Sequence, residues 1–76
     1  MSYMFEVYGR LLAEEVLTAW ALRLGGRLTY REALGEGDIG GVCLTFEFDD
    51  RDRAEVAAAA LREQGEHVEG PIDYGP

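Results

Sequence analysis

The fold is decided by the stretch VCLTFEFDDRDRAEVAAAALREQ, residues 42–64. Its first part alternates large apolar side chains with smaller or polar ones, which is the two-residue period of a β-strand. Its last part, from Ala54 onward, consists of strong helix formers and runs up to Gly65, a residue type that commonly follows the end of a helix. Asp52, followed three residues later by Glu55, is predicted to cap the start of this helix. We therefore predict a strand, a tight turn and a helix.

Three further strands and one further helix are predicted around this unit. Residues 2–8, 27–31 and 66–74 alternate apolar and polar side chains, which predicts strands. Residues 11–24 carry apolar side chains at three- and four-residue spacing and end at two glycines, which predicts a helix. Residues 32–41 are rich in glycine and are expected to form a flexible hairpin connection.

The same periods predict which side chains face the core and which face outward. The inward strand positions are Tyr3, Phe5, Val7, Leu28, Tyr30, Val42, Leu44, Phe46, Phe48, Val68, Ile72 and Tyr74. The outward positions are Met4, Glu6, Tyr8, Arg27, Thr29, Arg31, Cys43, Thr45, Glu47, His67, Glu69 and Asp73. The core stripe of the first helix is predicted as Leu12, Val16, Ala19, Trp20 and Leu24, widened by Leu17 and Ala21, with Leu11 and Leu22 outside it. Pro71 indicates an edge strand or a bulge in the last strand.

The predicted order of elements is β-α-β-β-α-β. Each βαβ half requires a right-handed crossover, and two such halves joined by a hairpin give the ferredoxin-like split βαβ layout. The fold class is therefore α+β, a ferredoxin-like βαββαβ sandwich. It has a four-stranded antiparallel sheet with two helices on one face, in a single domain over residues 1–76. The first and third strands are expected at the centre of the sheet.

Composition excludes several classes of function. The chain has 76 residues and a net charge of −8, so it lacks the basic surface that nucleic acid or an anionic membrane would need. It has one cysteine and one histidine, which excludes an internal disulfide and argues against a metal site or a metal cofactor. A chain of this size has a thin core and often needs a disulfide, a metal or a second subunit for stability. Since the first two are disfavoured, we expect a homodimer.

The expected compartment is the cytoplasm. The first residues lack the basic start and long apolar run of a signal peptide, and no apolar run approaches the length of a membrane span. A lone cysteine, Cys43, suits a reducing environment and is expected to be an ordinary thiol with no basic neighbour to activate it.

Several functional classes share this layout, and the residues of this chain can be compared with the pattern of each class. RNA-binding RRM domains need basic and aromatic residues on the exposed face of the third strand, where this chain has Cys43, Thr45 and Glu47. Metal chaperones carry two nearby cysteines after the first strand, and this chain has none there. The segment Gly9-Arg10-Leu11-Leu12 resembles the glycine-leucine turn of ACT-type regulatory domains over those four residues, which implies a ligand-binding regulatory module.

The sheet face opposite the helices is expected to be open and polar. Six of its residues are candidates for binding a ligand or a partner: Glu6, Tyr8, Arg27, Arg31, Glu47 and His67. The simplest interpretation is a solvated face with ion pairs between neighbouring strands. The second is a homodimer that packs two such faces or joins two sheet edges. The third is a ligand or catalytic site in which an open-face glutamate is a base, His67 is its acid/base partner and an arginine holds an anion.

The sequence alone does not assign a function. We expect a small non-catalytic protein-interaction or ligand-binding regulatory module that acts as a homodimer, and no residue is assigned a catalytic role. The alternative is a small dimeric α/β-barrel-type enzyme that uses acid/base residues on the open face. That alternative requires a concave, partly apolar cleft in which Glu6 or Glu47 has a raised pKa.

Overall fold

The structure, a computed structural model, describes residues 2–10, 13–34 and 41–73. The elements are β1 (Tyr3–Arg10), α1 (Glu14–Arg23), β2 (Arg27–Leu34), β3 (Gly41–Phe48), α2 (Arg51–Glu63) and β4 (His67–Asp73). The strands form one antiparallel sheet in the order β2-β3-β1-β4, with both helices on one face. This confirms the ferredoxin-like α+β fold and the central position of β1 and β3. The predictions for Leu11, Leu12, Tyr74 and the tip of the hairpin connection, residues 35–40, lie outside the described residues.

The core lies between the sheet and the helices, and three phenylalanines form its centre. Phe5 of β1 stacks on Phe48 with ring centroids 5.5 Å apart and meets Phe46 edge-on at 6.0 Å. The inward set predicted for β3 is confirmed, because all four of its members are buried. The core residues are Phe5, Val7, Leu17, Ala21, Val42, Leu44, Phe46, Phe48, Ala54, Ala57, Ala58, Leu61 and Val68.

Helix α2 packs closely on the sheet through small side chains. Its buried face consists of Ala54, Ala57, Ala58 and Leu61. The helix begins two residues earlier than predicted, because its capping residue is Asp50 and not Asp52. The side chain of Asp50 accepts a hydrogen bond from the backbone N–H of Asp52 at 2.9 Å. Gly65 ends the helix with a φ of 91°, as its position predicted.

Helix α1 is rotated relative to the predicted stripe. Leu17 and Ala21 are its buried residues, whereas Val16 is 71% exposed and Ala19 is exposed. Trp20 and Leu24 pack at the margin of the core. The helix carries apolar residues on two faces, one with Val16 and one with Leu17, and the face with Leu17 meets the sheet. The predicted core positions Val16 and Ala19 are therefore wrong.

A bulge in β2 changes the face of every residue that follows it. The register against β3 shifts between Leu28 and Tyr30, so Thr29 is an extra residue without an opposite partner. Tyr30 consequently lies on the open face opposite Thr45, although it was predicted inward. Arg31, predicted outward, lies on the helix side opposite the buried Leu44. The outward prediction for Arg31 is thus corrected.

A second bulge has the same effect in β4. The register against β1 shifts between the pairs formed by Met4 and Glu6, and Gly70 and Pro71 lie at this shift. Ile72 therefore lies opposite Met4 on the open face, and Asp73 lies opposite Tyr3 on the core side. Both facing predictions were wrong. The indication from Pro71 of an edge strand or a bulge was correct on both counts.

The close approach of Gly26 to the core gives a test of the fold. A Cβ at Gly26 would lie 2.5 Å from Cζ of the fully buried Phe48 ring. Gly26→Ala is therefore expected to lower the free energy of unfolding by about 2 kcal/mol, as overpacking does. Urea denaturation measures this loss.

The matched control is the same substitution in a Phe48→Leu background, where the ring that would clash is gone. The cost of Gly26→Ala should be much smaller there, because residues in contact are not additive. Equal costs in both backgrounds would contradict the proposed contact.

Candidate functional site

The open face is the side of the sheet that the helices do not cover. Cross-strand pairing arranges its side chains in rows that run from β2 across β3 and β1 to β4. The four rows are Arg27–Glu47–Met4–Ile72, Tyr30–Thr45–Glu6–Glu69, Glu32–Cys43–Tyr8–His67 and, at one end of the sheet, the three-residue row Leu34–Gly41–Arg10.

Five of the six predicted site residues lie in these rows. Glu6 and Tyr8 occupy the central strand β1, while Arg27, Glu47 and His67 occupy β2, β3 and β4. The sixth, Arg31, is separated from them by the sheet itself. Its guanidinium donates to the carboxylate of Glu14 on α1, and this contact lowers the pKa of Glu14.

The row that begins with Arg27 is a closed ion cluster. The Arg27 guanidinium contacts Glu47 at 2.8 Å and Asp49 at 3.0 Å, and the Ser2 hydroxyl donates to the other oxygen of Glu47. The Ser2 hydrogen bond and Arg27 lower the pKa of Glu47, and Arg27 lowers the pKa of Asp49. Each charged group of this cluster therefore has a partner within the chain, as expected for ion pairs between neighbouring strands.

The centre of the face holds a thiol between a carboxylate and a phenol. The Sγ atom of Cys43 lies 3.6 Å from Oε2 of Glu6, and Cys43 is 3% exposed because its neighbours cover it. Burial raises the pKa of this thiol. The hydrogen bond with the Tyr8 hydroxyl lowers it, and the neighbouring Glu6 raises it again. Burial and the adjacent Cys43 raise the pKa of Tyr8 to about 12. Both groups therefore stay protonated near neutral pH.

Three carboxylates around this centre lack a strong basic partner. Glu6 lies directly opposite Glu69, and Glu32 lies directly opposite Cys43. Within the described part of the chain, Glu6 bonds only to the Cys43 thiol, and Glu69 is 3.9 Å from the exposed His67. The His67 ring also lies 5.5 Å from that of Tyr8. Like charges directly opposite each other in a sheet are destabilising, so this arrangement weakens the fold.

The sequence did not predict two exposed apolar side chains of the open face, because the bulges move them there. Tyr30 is 55% exposed and Ile72 is 53% exposed, and they lie at opposite ends of neighbouring rows. The only signal in the sequence was Pro71, which marked the second bulge. Thr29 gives no comparable signal for the first, because threonine is common in regular strands.

Both edges of the sheet are protected against a further strand. On β4, Arg62 of α2 donates to the carbonyl oxygens of Val68 and Gly70, and Pro71 has no N–H to offer. On β2, the bulge at Thr29 and the charged side chain of Arg31 interrupt the pairing surface.

Two clefts lie on the opposite side of the molecule, along the helices. One of about 380 Å³ is lined by Arg23, Leu24, Asp52, Arg53 and Val56. The other, of about 230 Å³, is lined by Val16, Ala19, Trp20 and Arg23. In residues 2–10, 13–34 and 41–73, no cluster of three or more histidine, cysteine or acidic side chains could hold a metal ion. Neither helix of this part has the length and apolarity to cross a bilayer.

Comparison of the chain with protein-family models, with curated proteins and with solved structures found no match. The geometry of the open face is therefore the basis for assigning a function.

Replacing Arg27 by glutamine is expected to lower the melting temperature near neutral pH and to have no effect in strong acid. The folded pKa values of Glu47 and Asp49 lie below their ordinary values of 4.5 and 3.8, so both groups stabilise the fold when ionised. This contribution is fully present above the ordinary values and is lost as the pH falls through the lower folded values. Thermal unfolding followed by circular dichroism at a series of pH values checks it.

The control is Arg51→Gln, which removes an exposed ion pair with Glu55 at 3.4 Å on α2. A pair of this kind contributes little, so the control should resemble the wild type at every pH. If the melting curves of Arg27→Gln and the wild type differed by a constant amount down to strong acid, the proposed role of Arg27 would be wrong.

Proposed function

We propose that this protein is a non-catalytic interaction module that binds a positively charged segment of another protein on its open face. The observation that carries the proposal is the pair of carboxylates of Glu6 and Glu69, which lie directly opposite each other beside Tyr8. The proposed partner supplies positive charge to these two carboxylates.

The electrostatics of the pair favour a cationic ligand. After burial and Cys43, the negative charges of Glu6 and Glu69 also raise the pKa of Tyr8. An arginine or lysine side chain placed between them would form charge-assisted hydrogen bonds, which are stronger than neutral ones. It would also remove the repulsion between the two strands.

The aromatic residues favour the same kind of partner. Tyr8 follows Glu6 on β1, and Tyr30 lies in the row of Glu6 two strands away. A guanidinium or ammonium group over a phenol ring is attracted to it. Ile72 and Met4 add an apolar contact at the end of the face. A face with acidic, aromatic and apolar side chains suits a peptide segment better than an isolated ion.

The enzyme alternative receives less support from the geometry. A general base requires a pKa near the working pH, but the Ser2 and Arg27 contacts lower the pKa of Glu47. A nucleophilic cysteine requires a lowered pKa, and that of Cys43 is raised.

The direct test is a titration of the isotope-labelled protein with a synthetic peptide of alternating arginine and glycine, followed by NMR. We expect amide shifts on β1, β4 and β2 and a loss of affinity of at least about tenfold in the Glu6→Gln/Glu69→Gln double variant, since each lost charged hydrogen bond is worth about 1.5–3 kcal/mol. The loss should diminish as salt is added.

The charge-matched control is Glu55→Gln/Glu63→Gln, which removes the same charge from α2. This control should bind the peptide as the wild type does. Equal losses in both double variants would show attraction to net charge only. Tighter binding of free spermidine than of the peptide would indicate a small polyamine in place of a protein partner.

The same pair of carboxylates predicts a trade-off between binding and stability. Glu69→Gln is expected to raise the free energy of unfolding by about 0.3 kcal/mol at low ionic strength, because it removes a like-charge neighbour of Glu6. Urea denaturation at low and high salt measures this gain, which salt should reduce. A loss of stability on substitution would show that the two carboxylates do not repel each other.

A further inference from the structure

The outer face of α1 has a stripe of five exposed residues that points away from the sheet. A helix turns 100° per residue, and this places the stripe opposite the buried face of Leu17 and Ala21. Val16 is 71% exposed and Leu22 is 53% exposed. We call this set the outer stripe; its residues are Glu15, Val16, Ala19, Leu22 and Arg23.

The outer stripe is chemically symmetric about Ala19. Val16 lies three residues before Ala19 and Leu22 three residues after it, and both are branched and apolar. Glu15 lies four residues before Ala19 and Arg23 four residues after it, and their charges are opposite. A second copy of the helix, turned antiparallel about an axis at Ala19, would therefore find a matching residue at each position.

We propose that two copies of this chain associate through α1, packed antiparallel across a two-fold axis at Ala19. Val16 of each copy then contacts Leu22 of the other, and Glu15 of each copy pairs with Arg23 of the other. A two-fold interface of this kind uses the same patch on both subunits, which the symmetric stripe provides.

The charges at the ends of the stripe are available for this pairing. The side chains of Glu15 and Arg23 form no hydrogen bond or ion pair with another residue of the described ranges. By contrast, Arg27 and Arg31 are each bound to carboxylates within the chain. The antiparallel arrangement also brings each acidic helix start beside the basic end of its partner, which suits the helix dipoles.

The size of Ala19 and the neighbouring clefts favour close packing. A methyl side chain at the crossing point lets the two helix backbones approach. Helix α1 has ten residues and is about 15 Å long, which is too short to bury the roughly 800 Å² per subunit of a standard interface. The surface continues across the two clefts to Trp20 and to Val56, which is 62% exposed on α2.

Other surfaces suit self-association less well. Packing two open faces would oppose the carboxylates of Glu6, Glu32 and Glu69 of one copy with those of the other. Edge-to-edge pairing meets the bulge of β2 or the Arg62 contacts on β4. The outer stripe is independent of the proposed function of the open face, because the two surfaces lie on opposite sides of the sheet.

Charge exchange at the stripe tests the proposal by sedimentation equilibrium over a range of protein concentrations. The wild type should dimerise, and Glu15→Arg or Arg23→Glu alone should each weaken the dimer at least tenfold, because each places two like-charged pairs in the interface. The double variant Glu15→Arg/Arg23→Glu should restore dimerisation by reversing both pairs.

Mixing the two single variants provides the control for folding. A Glu15→Arg subunit and an Arg23→Glu subunit have complementary charges at both ends, so the mixture should form heterodimers although each variant alone does not. A misfolded variant could not be rescued in this way. The open-face variant Glu6→Gln/Glu69→Gln should dimerise as the wild type does, which separates the two proposals.

Three results would overturn the proposal. They are a wild type that remains monomeric at every concentration, single variants that dimerise as well as the wild type, and single variants that fail to associate on mixing although circular dichroism shows them folded.

Discussion

The whole molecule depends on the burial of alternate side chains from β1 and β3 beneath two helices. Phe5, Phe46 and Phe48 fill that layer, and the small residues of α2 let the helix lie close above them. A chain of this size can cover only one face of its sheet, because its core is thin. The opposite face of the sheet and the outer side of α1 are therefore left exposed as a direct result of how the core is built.

The sequence correctly predicts those elements whose apolar residues define only one buried face. The apolar residues of β3 recur at every second position without interruption, and α2 has one apolar face, so each has one way to pack. Helix α1 has apolar residues on two faces, one with Leu17 and one with Val16. Periodicity cannot decide between them, because the choice is made by the fit against the sheet.

The site was predicted in part, and the limit was the register of the edge strands. Residues on β1 and β3 were assigned to the correct face because both neighbours of each strand hold its register. A bulge in an edge strand costs little and reverses the face of all residues beyond it. This is why Arg31 was expected on the open face and instead contacts Glu14, while Tyr30 lies on the open face. The open face thereby loses the predicted Arg31 and gains the phenol ring of Tyr30.

The distribution of charge supports the proposal that the two surfaces bind different partners. A net charge of −8 opposes any contact between two copies of the chain, unless the contact surface is balanced locally. The outer stripe of α1 has that balance, because Glu15 and Arg23 are equally distant from Ala19. The open face does not, because Glu6, Glu32 and Glu69 exceed the basic groups near them. Self-association is therefore favoured on the helix side and binding of a basic partner on the sheet side. Since the core separates the two surfaces, a dimer could present two open faces to its partners at the same time.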